Sequence, residues 1–250
     1  MENKITVLII SKNEEDVIGG AIESVRDLTD EIIVVDDSTD ETAKIAEKAG
    51  AKVVHNKFKD FSDQRNLAAS LAKTEWIFYL DSDERVTPEF VKEVEELIRE
   101  YDLTFEEVGY FVKRKTFFFG KDWHFTDRVE RLFRRDKLKE WQGVVHETPV
   151  VEGKLGTIKE PILHYTHRNF EQMVAKTNEW SDFEAELRLK SGHPRMTFWR
   201  FPRVMFTGFF GSYFGQAAWR NGTAGVAEAF YQAYSMFITY AKLWEKQQKS

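Results

Sequence analysis

The residues Trp76-Ile77-Phe78-Tyr79-Leu80-Asp81-Ser82-Asp83-Glu84 concentrate the chemistry of this chain: an apolar run ends abruptly in carboxylates spaced Asp-x-Asp. Such a run reads as a buried strand, and its end delivers two acidic side chains to one edge of a sheet. Strand ends are where ligands bind in open α/β sheets. Hard oxygen ligands at a fixed spacing suit Mg²⁺ or Mn²⁺, ions that usually arrive with phosphates. The stretch points to a metal-assisted reaction on a phosphorylated substrate, although Asp-x-Asp also occurs in ordinary turns.

Two other apolar runs end in polar clusters. Ile5–Ile10 is followed by Ser11, Asn13 and Glu14, and Glu31–Val35 by Asp36, Asp37 and Asp40. Any one cluster could be helix capping, and Asp40 or Thr39 suits that role. The adjacent Asp36 and Asp37 repel each other unless a ligand or cation uses them. Three such strand ends on one edge favour a ligand site. Gly19-Gly20 is no Gly-x-Gly-x-x-Gly fingerprint, and no Walker-type loop is present. Dinucleotide oxidoreductases and P-loop NTPases therefore lose weight. A nucleotide here would be held by carboxylates on base or ribose hydroxyls, and by metal on its phosphates.

The elements that must position these residues follow from periodicity. Val17, Ile18, Ala21, Ile22 and Val25 form one face of a helix. Helices are also expected over 42–49, stopped by Gly50, and over 61–72, with a further strand at 51–55. Strands alternating with helices imply βαβ units and a mostly parallel sheet. Thr87 as N-cap and Pro88 in the first turn open a helix through Glu100. Residues 108–119 and 129–134 read as further, antiparallel strands, and 170–190 as a long amphipathic helix. Beyond Arg195 the chain reads as helical, with breaks near Gly208, Gly211 and Gly222.

A length of 250 residues fits one large domain, or a domain with an appendage. The net charge of -6 makes no overall case for nucleic-acid binding. With no cysteine, disulfides, zinc–cysteine sites and thiol nucleophiles are excluded, which suits a reducing cytoplasm. Met1-Glu2-Asn3-Lys4 lacks the features of a signal peptide. No apolar run reaches the ~18 residues of a transmembrane helix. From Arg195 onward seven basic residues stand against Glu228 and Glu245, amid many aromatics. That composition suits contact with anionic lipid headgroups, so the expected location is cytoplasmic, at the inner face of the cell membrane.

Four stretches in order, Ser11-Lys12-Asn13-Glu14-Glu15, Ile32 through Thr42, Asp63-Gln64-Arg65-Asn66 and Leu80-Asp81-Ser82-Asp83-Glu84, resemble the family 2 glycosyltransferases of GT-A fold. Arg131-Leu132-Phe133-Arg134 and Trp141 through Glu147 are similar to the lipopolysaccharide-core β-glucosyltransferase branch. The resemblance covers residues 4 to about 168 well and the tail more loosely. It implies a GT-A catalytic domain over 1–168, with a nucleotide-sugar half (1–100) and an acceptor half (101–168), and a helical basic-aromatic appendage over 169–250. It implies that Ser11, Asn13, Glu14, Asp36 and Asp37 receive uracil and ribose, that Arg65 contacts the nucleotide, and that Asp81 lies near ribose and metal. Asp83 becomes the main metal ligand, with His164 completing the site. Glu147 matches the family's catalytic acidic residue and is the expected general base, with His146 its neighbour on the acceptor side.

Between Lys113 and Lys139, ten basic residues face four acidic ones, interleaved with Phe117, Phe118, Phe119, Trp123 and Phe125. Arginine forks bind phosphate and aromatic faces stack on sugars, so Trp123 and Arg131 join His146 as acceptor candidates. A solvated charged sheet face is the plainer alternative. No RNA-recognition motif accompanies the segment. The apolar run Val204–Gly215 is either an interfacial helix or one packed on the catalytic domain or a second subunit. The expected function is inverting, metal-dependent transfer of a sugar, glucose foremost, from a UDP-sugar to a membrane-associated saccharide such as lipopolysaccharide core. A sugar-phosphate nucleotidyltransferase and a non-catalytic nucleotide-sugar-binding membrane protein are the alternatives. The first would want a Gly-rich loop, which Ser11–Glu15 lacks.

Overall fold

Apolar residues in both phases of a period-two pattern build the centre of the sheet. The computed structural model describes residues 4–101, 106–143 and 147–249. Its elements begin β1 (Ile5–Ser11), α1 (Ile18–Ser24), β2 (Ile32–Asp36), α2 (Thr42–Lys48), β3 (Lys52–His55), α3 (Phe61–Leu71) and β4 (Trp76–Asp81). On β1, β2 and β4 alternate residues enter different cores. Val7, Ile9, Val34, Phe78 and Leu80 join one, and Leu8, Ile33, Val35, Ile77 and Tyr79 the other. A parallel sheet covered on both faces demands this. Val17, Ile18, Ala21, Ile22 and Val25 are all buried, as their spacing predicts.

The chain continues through β5 (Glu84–Arg85), α4 (Pro88–Glu100), β6 (Glu107–Phe118), β7 (Lys121–Arg134), β8 (Leu138–Gln142), β9 (Thr148–Val151), β10 (Lys154–Thr157) and β11 (Ile162–Thr166). The Thr87 side chain accepts from Phe90 N and caps α4, with Pro88 in its first turn. Strand β7 starts at Lys121, eight residues before the Val129 read from hydrophobicity. Its early residues alternate too little to show in composition, and Phe119 and Gly120, both with positive φ, turn the chain tightly into it.

Among the described residues nine strands share one sheet, ordered β3-β2-β1-β4-β7-β6-β11-β5, with β10 paired to β6. β1 lies parallel to β2 and β4, and β2 to β3, while β7 joins β4 antiparallel. β8 and β9 form a separate antiparallel pair. This is the α/β architecture expected, a mostly parallel sheet flanked by helices with a smaller antiparallel part.

Two compact units divide the chain: Met1–Thr116 with Thr126–Tyr165, and Phe117–Phe125 with Thr166–Ser250. The second contains α5 (Phe170–Lys190), α6 (Arg200–Phe210), a π-helical turn Gly211–Gly215, a 3₁₀ turn Ala218–Asn221 and α7 (Gly222–Lys249). Its core holds Ala185, Met196, Tyr240 and Leu243. The helix does not break at Gly208, contrary to the sequence expectation. A Cβ there would lie 2.9 Å from the Gln232 carbonyl and 3.2 Å from Ala233 Cα, so this glycine lets α6 approach α7. Among the described residues no helix is long and apolar enough to cross a membrane.

Candidate active site

The carboxyl ends of β1, β2 and β4 lie side by side. Ser11 pairs in register with Asp36, and Ile10 with Asp81. The sheet thus brings together the three polar clusters that the sequence separates by tens of residues.

At the β1–β2 end the groups lock one another. Ser11 Oγ donates to Asp36 Oδ1 at 2.7 Å, and Ser38 Oγ to the same oxygen at 2.6 Å. Ser38 N donates to Asp36 Oδ2 at 3.1 Å. Asn13 takes a left-handed φ of 55°. Its N–H reaches Ser38 Oγ at 2.8 Å while its Oδ1 accepts from Thr39 N at 2.9 Å. The backbone N–H of Glu14 donates to Thr42 Oγ1, and Asp37 Oδ2 accepts from Phe58 N at 3.0 Å. Asp36 is buried, so it shapes these two loops from within, while Asn13 is exposed and Asp37 half-buried at their rim. Asp40 accepts from Thr42 N, at the first residue of α2, at 3.0 Å, although the N-cap position itself falls to Glu41.

Helix α3 braces the next part. Asp60 caps it by accepting from Asp63 N. Asn66 clamps β8 with both ends of its amide, donating to Trp141 O at 2.9 Å and accepting from Trp141 N at 2.7 Å. Arg65 is buried between Trp141 and Tyr79, its guanidinium 4.9 Å and 5.4 Å from their ring centres. It donates from Nε to Glu147 Oε1 at 2.9 Å and from Nη2 to Asp81 Oδ1 at 3.3 Å. One cation therefore joins Asp81 to Glu147, which lies 82 positions from that arginine in the chain.

The chain of ion pairs continues. Arg131 Nη2 donates to Asp81 Oδ2 and, at 3.1 Å, to Glu84 Oε1. Arg114 donates to Glu84 Oε1 at 3.3 Å and to both oxygens of Asp127. Glu84 Oε2 accepts from Asp81 N at 2.9 Å. Seven side chains, Glu147–Arg65–Asp81–Arg131–Glu84–Arg114–Asp127, thus alternate in sign without a gap. Partial burial would raise the pKa of Asp81. The guanidiniums of Arg131 and then Arg65 outweigh it and hold the carboxyl well below the usual carboxylate range. Burial likewise opposes the charge on Asp127, and Arg114 overrides it, lowering that pKa too.

Arg131 was expected on the acceptor. Its side chain is 5% exposed and spent on Asp81 and Glu84, which leaves no face for a ligand. Trp123 is 1% exposed and packs on Phe118 at 4.6 Å, so its ring is core rather than a sugar platform. His146 lies outside the described residues. Part of the basic stretch that suggested an acceptor surface is paired within the protein: Arg114 with Asp127, Arg134 with Glu75 and Asp136, Lys139 with Glu152. Composition counts charges but not their partners. Glu84, Arg114 and Asp127 received no role from sequence. Glu84 stands inside the Asp-x-Asp stretch, which is the one local sign of it.

Arg131→Met should destabilise the protein by about 3–5 kcal/mol, since it takes one of two arginines from the fully buried Glu84 carboxylate and the partner from one oxygen of Asp81. The midpoint of urea unfolding measures this. A change below about 1 kcal/mol would mean that the arginine contributes no more than a surface ion pair.

Asp83 faces His164 across β5 and β11. Tyr165 N donates to Asp83 O at 2.8 Å, and His164 pairs in register with Glu84. His164 Nε2 stands 3.5 Å from Asp83 Oδ2, both side chains being 16% exposed. Burial lowers the His164 pKa, but Asp83 and then Glu84 more than compensate and raise it above the ordinary histidine value. His164 Nδ1 is buried without a hydrogen-bond partner among the described residues, so no acceptor there holds the Nδ1–H tautomer that leaves the Nε2 lone pair free.

A carboxylate and an imidazole at this separation fit a hard divalent ion. Ligands on adjacent octahedral vertices of Mg²⁺ stand about 3 Å apart. Among the described residues no third His, Asp or Glu completes a cluster. Asp81, expected as a second ligand, has its oxygens on Arg65 and Arg131 instead. The remaining vertices would fall to diphosphate and water, the usual arrangement for Mg²⁺.

Comparison with known proteins identifies the family. The profile described as glycosyl transferase family 2 matches residues 6–152. An uncharacterised glycosyltransferase of Rickettsia conorii is 30% identical over 100% of this chain and 93% of its own. The lipopolysaccharide core biosynthesis glycosyltransferase LpsC of Rhizobium meliloti is 29% identical over 97% of this chain and 92% of its own. Staphylococcus aureus TarS (1–349) aligns over 98% of this chain and 91% of that one, with 14% identity and a TM-score of 0.47; nothing further rests on that likeness. The chain belongs to glycosyl transferase family 2 and is a nucleotide-sugar-dependent glycosyltransferase.

Proposed function

We propose that the protein moves glucose, with inversion, from UDP-glucose to a saccharide borne by a membrane glycolipid of the lipopolysaccharide-core type. The observation that carries this reading is the arginine shared by Glu147 and Asp81. It ties a carboxylate suited to deprotonating an acceptor to the strand end suited to a diphosphate. The resemblance to LpsC supports the acceptor class.

Residues 1–168 carry catalysis in this reading, 1–100 taking the nucleotide sugar and 101–168 the acceptor, while 169–250 meet the membrane. Ser11, Asn13, Glu14, Asp36 and Asp37 frame the nucleoside, with Asp36 ordering the loops whose rim groups touch it. Asp83 and His164 would hold Mg²⁺ or Mn²⁺, which when bound offsets the charge developing on the departing diphosphate. Arg65 fixes Glu147 through Oε1, leaving Oε2 to take the proton of the attacking hydroxyl. Arg131 holds Asp81 in place from behind.

Slow release of UDP from UDP-glucose, without acceptor, tests the donor and metal together. It should require Mn²⁺ or Mg²⁺ and cease with EDTA. Under the same conditions UDP-glucose at 100 times its Kd should stabilise the fold by about 2.7 kcal/mol. Release that ignores the metal, or a larger thermal shift with another nucleotide sugar, would replace this assignment.

A further inference from the structure

We propose that the second unit carries an interfacial surface for anionic phospholipid, built on α6 and the π-helical turn after it. Helix α6 has no buried residue. Phe206, Phe210 and Phe214 are 60%, 49% and 61% exposed. Their spacing of four places them on one face, and their rings stack in a ladder. The centres are 6.1 Å and then 5.9 Å apart, with planes within 16° and 10° of parallel. Phe230 of α7, 64% exposed, extends the patch through Phe209 at 5.0 Å.

Each flank of the ladder has a half-exposed tryptophan with arginine over its ring. Arg200 and Arg203 lie 5.6 Å and 5.9 Å from the Trp199 centre, and Arg220 lies 5.4 Å from that of Trp219. From Arg195 to Ala227 there are four arginines and no acidic residue. Tryptophan at the headgroup level, phenylalanine below it and arginine on lipid phosphate match the layers of one leaflet. Helix α6 has 11 residues, too few to span a bilayer, so it lies in the plane.

Charge selects this occupant over a second copy of the chain. A two-fold dimer would lay the patch on itself. Its arginines would meet arginines, with no carboxylate in the segment to pair them. Anionic headgroups supply the missing charge. The proposal gives the membrane contact of the functional reading its surface, and it rests on that reading only for its purpose, because lipid binding needs no turnover.

Flotation of the full chain with vesicles tests it. The protein should float with phosphatidylcholine vesicles containing phosphatidylglycerol, less with phosphatidylcholine alone, and less as salt rises. Replacing Phe206, Phe210 and Phe214 together by Ser should lower partitioning roughly a hundred-fold. Arg200→Gln with Arg203→Gln and Arg220→Gln should remove the preference for anionic vesicles, about five-fold per arginine at low salt. Both variants should keep the wild-type melting temperature and UDP release. Wild-type protein that floats with neither vesicle overturns the surface. So does flotation that survives the triple Ser change, or a dimer that this change dissociates while flotation persists. Loss of UDP release with intact flotation would sink the donor reading and leave this surface standing.

Discussion

Asp83→Ala should abolish sugar transfer, lowering kcat by roughly three orders of magnitude or more. Asp83 supplies a carboxylate, the ligand type a hard divalent ion prefers, and His164 stands beside it at ligand spacing. Removing the carboxylate leaves an imidazole, which alone is a poor anchor for Mg²⁺. The uncompensated diphosphate then departs slowly. In the proposed reading the nucleoside end lies on β1 and β2 and is untouched, so UDP measured without metal should bind as before. Turnover assays across a Mn²⁺ titration decide the matter. Near-normal kcat at saturating metal would remove Asp83 from the metal site, whereas a loss that high Mn²⁺ fully restores would make it an affinity determinant alone.

The second large effect is expected from Glu147→Gln. Glutamine keeps an oxygen for the Arg65 Nε–H that Glu147 now accepts at 2.9 Å, so the fold and the arginine should stay in place. What disappears is a group able to accept the acceptor's proton. A general base contributes typically 10²–10⁴-fold, and kcat should fall by about that factor with the donor's KM and the melting temperature unchanged. A purely structural ion pair gives the opposite pattern: Arg65 loosens, donor KM rises, and kcat persists. That outcome would leave Glu147 as a brace for Arg65 and return the base to be found on the acceptor side.

Much of the fold is legible in the chain because its causes are local. Alternating apolar residues in both phases mark β1, β2 and β4 as doubly covered strands. Thr87-Pro88 marks the start of α4, and strand ends rich in Ser, Asn and Asp announce the site edge. The start of β7 is not legible, since a tight turn at Phe119-Gly120 rather than hydrophobic alternation begins it. Gly208 reads as a break for the same kind of reason. Its use, the close approach of α6 to α7, depends on residues some 25 positions away.

By itself the sequence determined which chemical groups reach the sheet edge and which family they belong to, because strand order and motif order are written along the chain. Only the tertiary structure decided how those groups are spent. Arg131 lies 50 positions from Asp81 and Arg65 lies 82 from Glu147, and no local pattern encodes such pairings. Folding turned an apparent acceptor-binding arginine into the buried partner of Asp81. It divided the two aspartates of Asp81-Ser82-Asp83 between arginines and a histidine. It also left Phe206 and Phe210 of α6 in solvent, where periodicity shows an apolar face but not whether that face turns toward the core or away from it.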